Sequence, residues 1–479
     1  MPFSHRQVLG RAIAVLFSCT LTAYAAPPSL VIRDAAVFDS IHGAMLPNRT
    51  VLIEGDHIRS LVPAEERVSI PSGAQIIDGR GKFVLPGLID AHVHLVHVLD
   101  FAHVTGDEIL PLFLANGVTS VRDTGDVVVA EKLVARYAEA HPDLSPRIFL
   151  CSPLIDGDPP FHKNDVGRAI VDPAEVPKFV TDMIEWGVGT FKLYVGTERP
   201  VGRRVIEEVH RRGKIVCGHL GKYSAQDAVA DGIDVLEHIW SVFNYILPAE
   251  EPRPLRAEER EKLSPAEKQA LGRRRLERRA QVDLGNPKVE DLVASMLRQK
   301  VKVDPTLTVF KNMILLNDLS EVYQHPDNDL MPERLKKNWS GYRQESNLDP
   351  ETLELRRQEF RKYQELTGIL YRKGVPLLAG TDTPEPYCPP GSSLHQELEL
   401  LVESGLTPAA ALQSATIENA RALQQADRLG SVETNKLADL VILDANPLQD
   451  IRNTRKIFKV IRGGILCDPK IVLKLVPSH

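Results

Sequence analysis

With five cysteines in 479 residues, the chain is too poor in thiols for a disulfide scaffold. It has no strongly basic stretch, so the electrostatic footprint of a nucleic-acid partner is missing. No internal repeat or low-complexity tract is present, and beyond the N-terminus no segment is long and apolar enough to cross a bilayer. What is present is ordinary globular composition: 43% hydrophobic, 25% charged and a net charge of −6, which excludes a disordered or fibrous protein. The length corresponds to roughly two or three domains, or to one large barrel with attachments.

The first 25 residues read as a secretory signal peptide. Arg6 and Arg11 precede the apolar stretch Ala12 to Ala25, which ends in the cleavage signature Ala23-Tyr24-Ala25. An alternative takes Leu16-Phe17-Ser18-Cys19 as a lipid-attachment site, but Phe17 fits that pattern poorly. The expectation is a secreted or periplasmic protein whose mature chain starts near Ala26. Four cysteines then remain, Cys151, Cys217, Cys388 and Cys467, with three pairings open to them.

Residues 26–83 and 430–479 read as β structure and are each too small to bury a core alone, so they are expected to combine into one small β-sandwich domain. Between them, 84–429, apolar runs alternate with helical patterns. Candidate strands fall at 84–95, 117–123, 147–154, 189–195, 214–220, 234–240, 301–308 and 375–382. Eight parallel-type strands with helical crossovers argue for an α/β (β/α)8 TIM-type barrel, whose chemistry sits at the C-terminal strand ends. The long connection near 245–300 is a helical insertion. Ser264-Pro265-Ala266-Glu267 is a capping box that starts a helix there, and Thr407-Pro408 starts a later one. Its charge run reads as a solvated helix face, with a lid over the barrel mouth as the sharper alternative.

The polar residues cluster at the strand ends. His92 and His94 stand two apart after Leu85-Pro86-Gly87-Leu88-Ile89-Asp90-Ala91, so period-2 geometry points both imidazoles to one face. Such a pair suits a metal, although the spacing alone is weak evidence. Lys192 interrupts the apolar run Gly189 to Val195; a buried lysine needs either an acid partner or conversion by carbon dioxide to an anionic carbamate. Strand 5 ends in Cys217-Gly218-His219, strand 6 in Glu237-His238 and strand 8 in Gly380-Thr381-Asp382. One histidine at such a place is usually a core residue; metal-competent side chains at five strand ends are hard to read that way.

These residues resemble the amidohydrolase superfamily. The matching pieces are Pro86 to His94, Lys192, His219, His238 and Gly380-Thr381-Asp382, together with the tail Leu437-Ala438-Asp439-Leu440-Val441-Ile442-Leu443-Asp444. Within it the chain is similar to the imidazolonepropionase-like branch that includes Xaa-Pro dipeptidases with a lysine on strand 4. The resemblance implies two divalent metal ions, zinc being expected. His92, His94 and Asp382 would hold one and His219 and His238 the other, bridged by hydroxide and carboxylated Lys192. Asp382 would move the proton to the leaving nitrogen.

Tyr194 lies two after Lys192 and reaches toward the mouth, where it and His162 are candidate substrate contacts. The family often has Gly-Gly-His where this chain has Pro159-Pro160-Phe161-His162. Arg122 and Arg203 are further candidates for binding a substrate carboxylate, Arg122 also reading as a structural salt bridge. His97, His103 and His395 read as supporting or surface residues, and Cys217 as core. The expected activity is hydrolysis of a C–N bond in a small molecule, a dipeptide or N-acyl amino acid. A cyclic-amide or lactone hydrolase with the same site is the alternative, and a non-catalytic barrel scaffold is the remote one. A homo-oligomer is left open.

Overall fold

The computed structural model describes residues 29–96, 104–163, 165–247, 262–314, 328, 330–345 and 349–475. The expected signal peptide, His97 and His103 lie outside them.

The barrel strands are short. They span Leu88–Val93, Val118–Asp123, Arg147–Phe149, Thr190–Leu193, Ile215–Gly218, Val235–Glu237 and Lys302–Asp304, all paired in parallel within two sheets. Single parallel bridges link the rest: Cys151 to Thr190, Val303 to Leu377 and Val93 to Thr383. The eighth segment, at 377–383, is thereby held between strands 7 and 1, and the fold is a (β/α)8 barrel with a terminal sheet domain. Two expected strands resolve differently. The run 84–95 divides at Gly87, where a side chain would collide with Thr119 Oγ1 at 2.0 Å; Phe83–Pro86 joins the terminal sheet and Leu88–Val93 the barrel. The run 147–154 ends at Phe149, and Leu154–Asp156 pairs separately with Gly167–Ala169.

Both chain ends build one sheet. Leu30–Asp39, Ala44–Glu54, His57–Pro63, Gln75–Asp78 and Phe83–Pro86 are joined by Leu440–Leu443, Ile457–Arg462 and Ile465–Cys467. Seven of these strands form one hydrogen-bonded path, with the C-terminal strand Leu440–Leu443 lying beside Phe83–Pro86, and Gln75–Asp78 pairs with Leu30–Asp39 off that path. Alternation explains why Phe83–Pro86 and Leu440–Leu443 are apolar throughout. Val37, Val84, Leu440 and Ile442 enter the sheet's own apolar cluster, whereas Phe38, Leu85, Val441 and Leu443 enter the barrel's. A strand covered on both faces has no polar side.

In the insertion, Ser264 Oγ accepts from the Glu267 amide at 3.3 Å, and the Glu267 carboxylate accepts from the Ser264 amide at 2.8 Å, so the capping box starts helix Pro265–Ala280. Arg279 docks this helix by lying 4.4 Å above the Trp240 ring and 3.4 Å from Glu359. Thr407 caps Pro408–Gln413 by accepting from the Ala410 amide at 3.1 Å, without the reciprocal carboxylate. All four remaining cysteines are buried free thiols. No described helix is long and apolar enough to span a membrane.

Candidate metal centre

The six metal-competent side chains all lie at the C-terminal ends of barrel strands. Strand 8 sets the first group: the Asp382 amide donates to His92 O at 2.8 Å, and the His94 amide donates to Thr383 O at 2.8 Å. Asp382 Oδ1 thereby stands 3.3 Å from His92 Nε2 and 3.1 Å from His94 Nε2. Gly380 makes this approach possible, because a Cβ there would come within 2.2 Å of Asp304 Oδ2 and 2.6 Å of His92 Cβ. On the other side, the His219 amide donates to Leu193 O at 3.0 Å, placing His219 against the strand that carries Lys192.

The rings form a continuous arc. Centroid separations are 5.5 Å from His94 to His92, 4.6 Å to His238, 4.3 Å to His219, 5.2 Å to Tyr194 and 5.4 Å to His162. Tyr194 Oη and His162 Nε2 are 3.1 Å apart. All eight residues singled out from the sequence therefore surround one site.

Its electrostatics suit a cation. Burial lowers the pKa of His94 to about 4 and of His219 to about 3, and holds His238 well below its ordinary value; neutral imidazoles offer lone pairs. Burial opposes ionisation of Asp382, yet the neighbouring His92 and His238, with the close approach of the His94 imidazole, outweigh it, so its carboxyl stays well below the usual range. Donor atoms of His92, His238 and Asp382 lie within 4.8 Å of one another. His92 Nε2 is buried without a hydrogen bond and is aimed at this group. Lys192 is 1% exposed, and among the described residues no carboxylate pairs with its ammonium. These residues fit a metal ion.

A supporting layer escaped the sequence reading. His92 Nδ1 lies 2.9 Å from Glu237 Oε2, and Arg122 Nη2 lies 2.5 Å from Glu237 Oε1. Burial would push Glu237 up, but Arg122 first, then Lys192 and His92, reverse this and keep it anionic. A carboxylate on the distal nitrogen of a ligand histidine fixes the ring and raises its basicity. The clue was available: Glu237 lies in a fully apolar strand next to His238. His238 Nδ1 is 2.7 Å from Thr306 Oγ1 in the same way. Asp304 adjoins this layer, 3.9 Å from His92 Nδ1.

Three sequence expectations change. Arg122 is fully buried on Glu237 and is unable to reach a substrate, leaving only its salt-bridge reading. Arg203 belongs to the surface helix Arg199–Arg211 and pairs with Glu207 at 3.0 Å. His395 is buried in the helix Ser392–Glu403 that follows strand 8, held by Thr454 Oγ1 and Asn116 O, and so is not a surface residue. Cys217 is core, as expected.

A family model described as the amidohydrolase family matches residues 83–245 and 356–466, more than half of the chain. The chain belongs to that family, whose members usually bind metal ions. Over 94 residues it is 32% identical to adenine deaminase 2 of Bradyrhizobium sp. (strain ORS 278), covering 20% of this chain and 15% of that protein. Over 110 residues it is 36% identical to the imidazolonepropionase of Geobacillus kaustophilus, covering 21% and 25%. The chain thus spans a quarter or less of these curated relatives. Among solved structures, a Xaa-Pro dipeptidase with bound methionine in its active site superposes with a TM-score of 0.64 at 20% identity, covering 92% of this chain and all of the other.

Proposed function

We propose that this protein is an exported, binuclear-metal amidohydrolase that hydrolyses a C–N bond in a small molecule carrying a free carboxylate, such as a dipeptide or N-acyl amino acid. The observation that carries the reading is the convergence of neutral His94, His219 and His238 with His92 and ionised Asp382 around one buried point.

In this reading His92, His94 and Asp382 would hold one ion and His219 and His238 the other, with zinc expected. Lys192, as the neutral amine, would add carbon dioxide at Nζ and release one proton to solvent, and the resulting carbamate would supply anionic oxygen to the metal site. The ions, when bound, polarise the scissile carbonyl and make water nucleophilic near neutral pH. Asp382 takes a proton at its carboxylate and passes it to the leaving nitrogen. Tyr194, whose pKa burial and the nearby Asp382 raise, keeps its proton and donates; with His162 it binds the substrate carboxylate and aligns the amide. With Arg122 and Arg203 engaged elsewhere, the carboxylate reading rests on these two groups.

A cyclic-amide substrate is the second reading, favoured by the local likeness to imidazolonepropionase. One experiment separates the two. Purified mature protein is analysed for metal and assayed on dipeptides and N-acyl amino acids, each as free acid and as methyl ester, beside cyclic amides. About two ions per chain and a preference for the free acid support the proposal. Equal rates on acid and ester, or Tyr194→Phe without effect on KM and kcat, count against the carboxylate contact.

A further inference from the structure

A cavity of about 400 Å³ lies at the opposite end of the barrel from the histidine arc. Its wall includes Thr190, the first residue of strand 4, and Lys214, the residue just before strand 5. Lys192 and His219 lie further along those same strands, toward the mouth. The cavity is therefore separate from the metal centre.

Its lining has a definite chemistry. One face of helix Val128–Ala140 supplies Lys132, Arg136 and Glu139, and Trp186 comes from the end of helix Val176–Trp186. Three cations thus face one carboxylate. Lys132 is committed: its Nζ donates to Trp186 O at 2.7 Å and lies 5.4 Å from the indole centroid. That contact also occupies the exposed carbonyl of the helix end, which would otherwise repel an anion. Arg136 and Lys214 pair with no carboxylate among the described residues. Trp186 keeps 41% of its surface open beside them. A guanidinium fork and an ammonium around a concave site recognise an oxyanion, and an open indole recognises a planar ring.

We propose that this cavity binds an aromatic oxyanion, with the anionic group between Arg136 and Lys214 and the ring against Trp186. Phenyl phosphate, benzoate, inorganic phosphate and benzamide are titrated into the metal-loaded protein while tryptophan emission and calorimetric heat are followed. Phenyl phosphate or benzoate should quench saturably, the tighter of the two identifying the source of the anion as phosphate or carboxylate. Inorganic phosphate and benzamide should each bind at least tenfold more weakly. Trp186→Phe should abolish the quench, and the double variant Arg136→Gln/Lys214→Gln should weaken the aryl anion at least tenfold, both with wild-type turnover. No saturable binding by either readout overturns the proposal. So does an unchanged Kd in the double variant, or equal affinity for inorganic phosphate or benzamide.

Discussion

His238 and Thr306 both hold left-handed backbone, at φ 61° and 47°, and the imidazole Nδ1 lies 2.7 Å from the threonine Oγ1. Such a conformation costs about 1–3 kcal/mol per residue and is especially unfavourable for a β-branched side chain. Asp382 shares it, at φ 61°. These three left-handed residues sit at strand ends beside the metal-competent groups, where the barrel frame holds them.

Thr306→Val keeps the branched shape and backbone cost but removes the hydroxyl that orients His238. Metal affinity and kcat should fall together by roughly 10–100-fold, as for other supporting contacts to ligand histidines. Thr306→Ser should restore most of the loss. Metal titration and steady-state kinetics on both variants check this.

Glu237→Gln should destabilise the fold by about 3–5 kcal/mol, because Arg122 would remain fully buried without its countercharge. Urea unfolding measures it. A midpoint unchanged from wild type would mean that Arg122 finds another anion.

Lys192→Ala should lose metal and turnover together and regain part of both in added formate or propionate. Wild-type protein equilibrated with ¹³C-bicarbonate should show a carbamate carbon resonance that the variant lacks. Normal metal content and rate in the variant would exclude the bridging role.

Asp382→Asn should lower kcat by on the order of 10²–10⁴ while retaining most of the metal, since an amide oxygen ligates but carries no proton. Metal analysis beside single-turnover kinetics distinguishes this from simple loss of the ions.

Protons compete with metal for imidazole nitrogens, and a lowered pKa weakens that competition. With His94 at about 4 and His219 at about 3, metal should be retained as pH falls through 6.5, the ordinary imidazole value, and be released only below about pH 5. Dialysis across pH 7 to 4 with metal analysis tests the sign: a release midpoint at 6 or above would show that the folded site does not depress these groups.

The metal-competent residues were legible because each is a polar side chain ending an apolar run, and period-2 spacing placed His92 and His94 together. The supporting layer was not. Glu237 sits beside His238 in sequence, yet its carboxylate serves His92, 145 residues away, and Arg122 reaches it across the barrel interior. No local pattern records such a pairing. The allegiance of Phe83–Pro86 was hidden for a related reason: the residues on both sides of Gly87 are apolar, and only the collision with Thr119 shows where one sheet stops and the next begins.

The terminal sheet sets an order of events for the nascent chain. Leu440–Leu443 lies between Phe83–Pro86 and Ile457–Arg462, so the N-terminal strands wait for some 350 residues of barrel before their neighbour is synthesised. Until then Phe83–Pro86 presents an unpaired edge with Val84 and Leu85 uncovered, a template for pairing with another chain. A chain cut short before residue 440 should therefore aggregate through this edge, even where its barrel residues are intact.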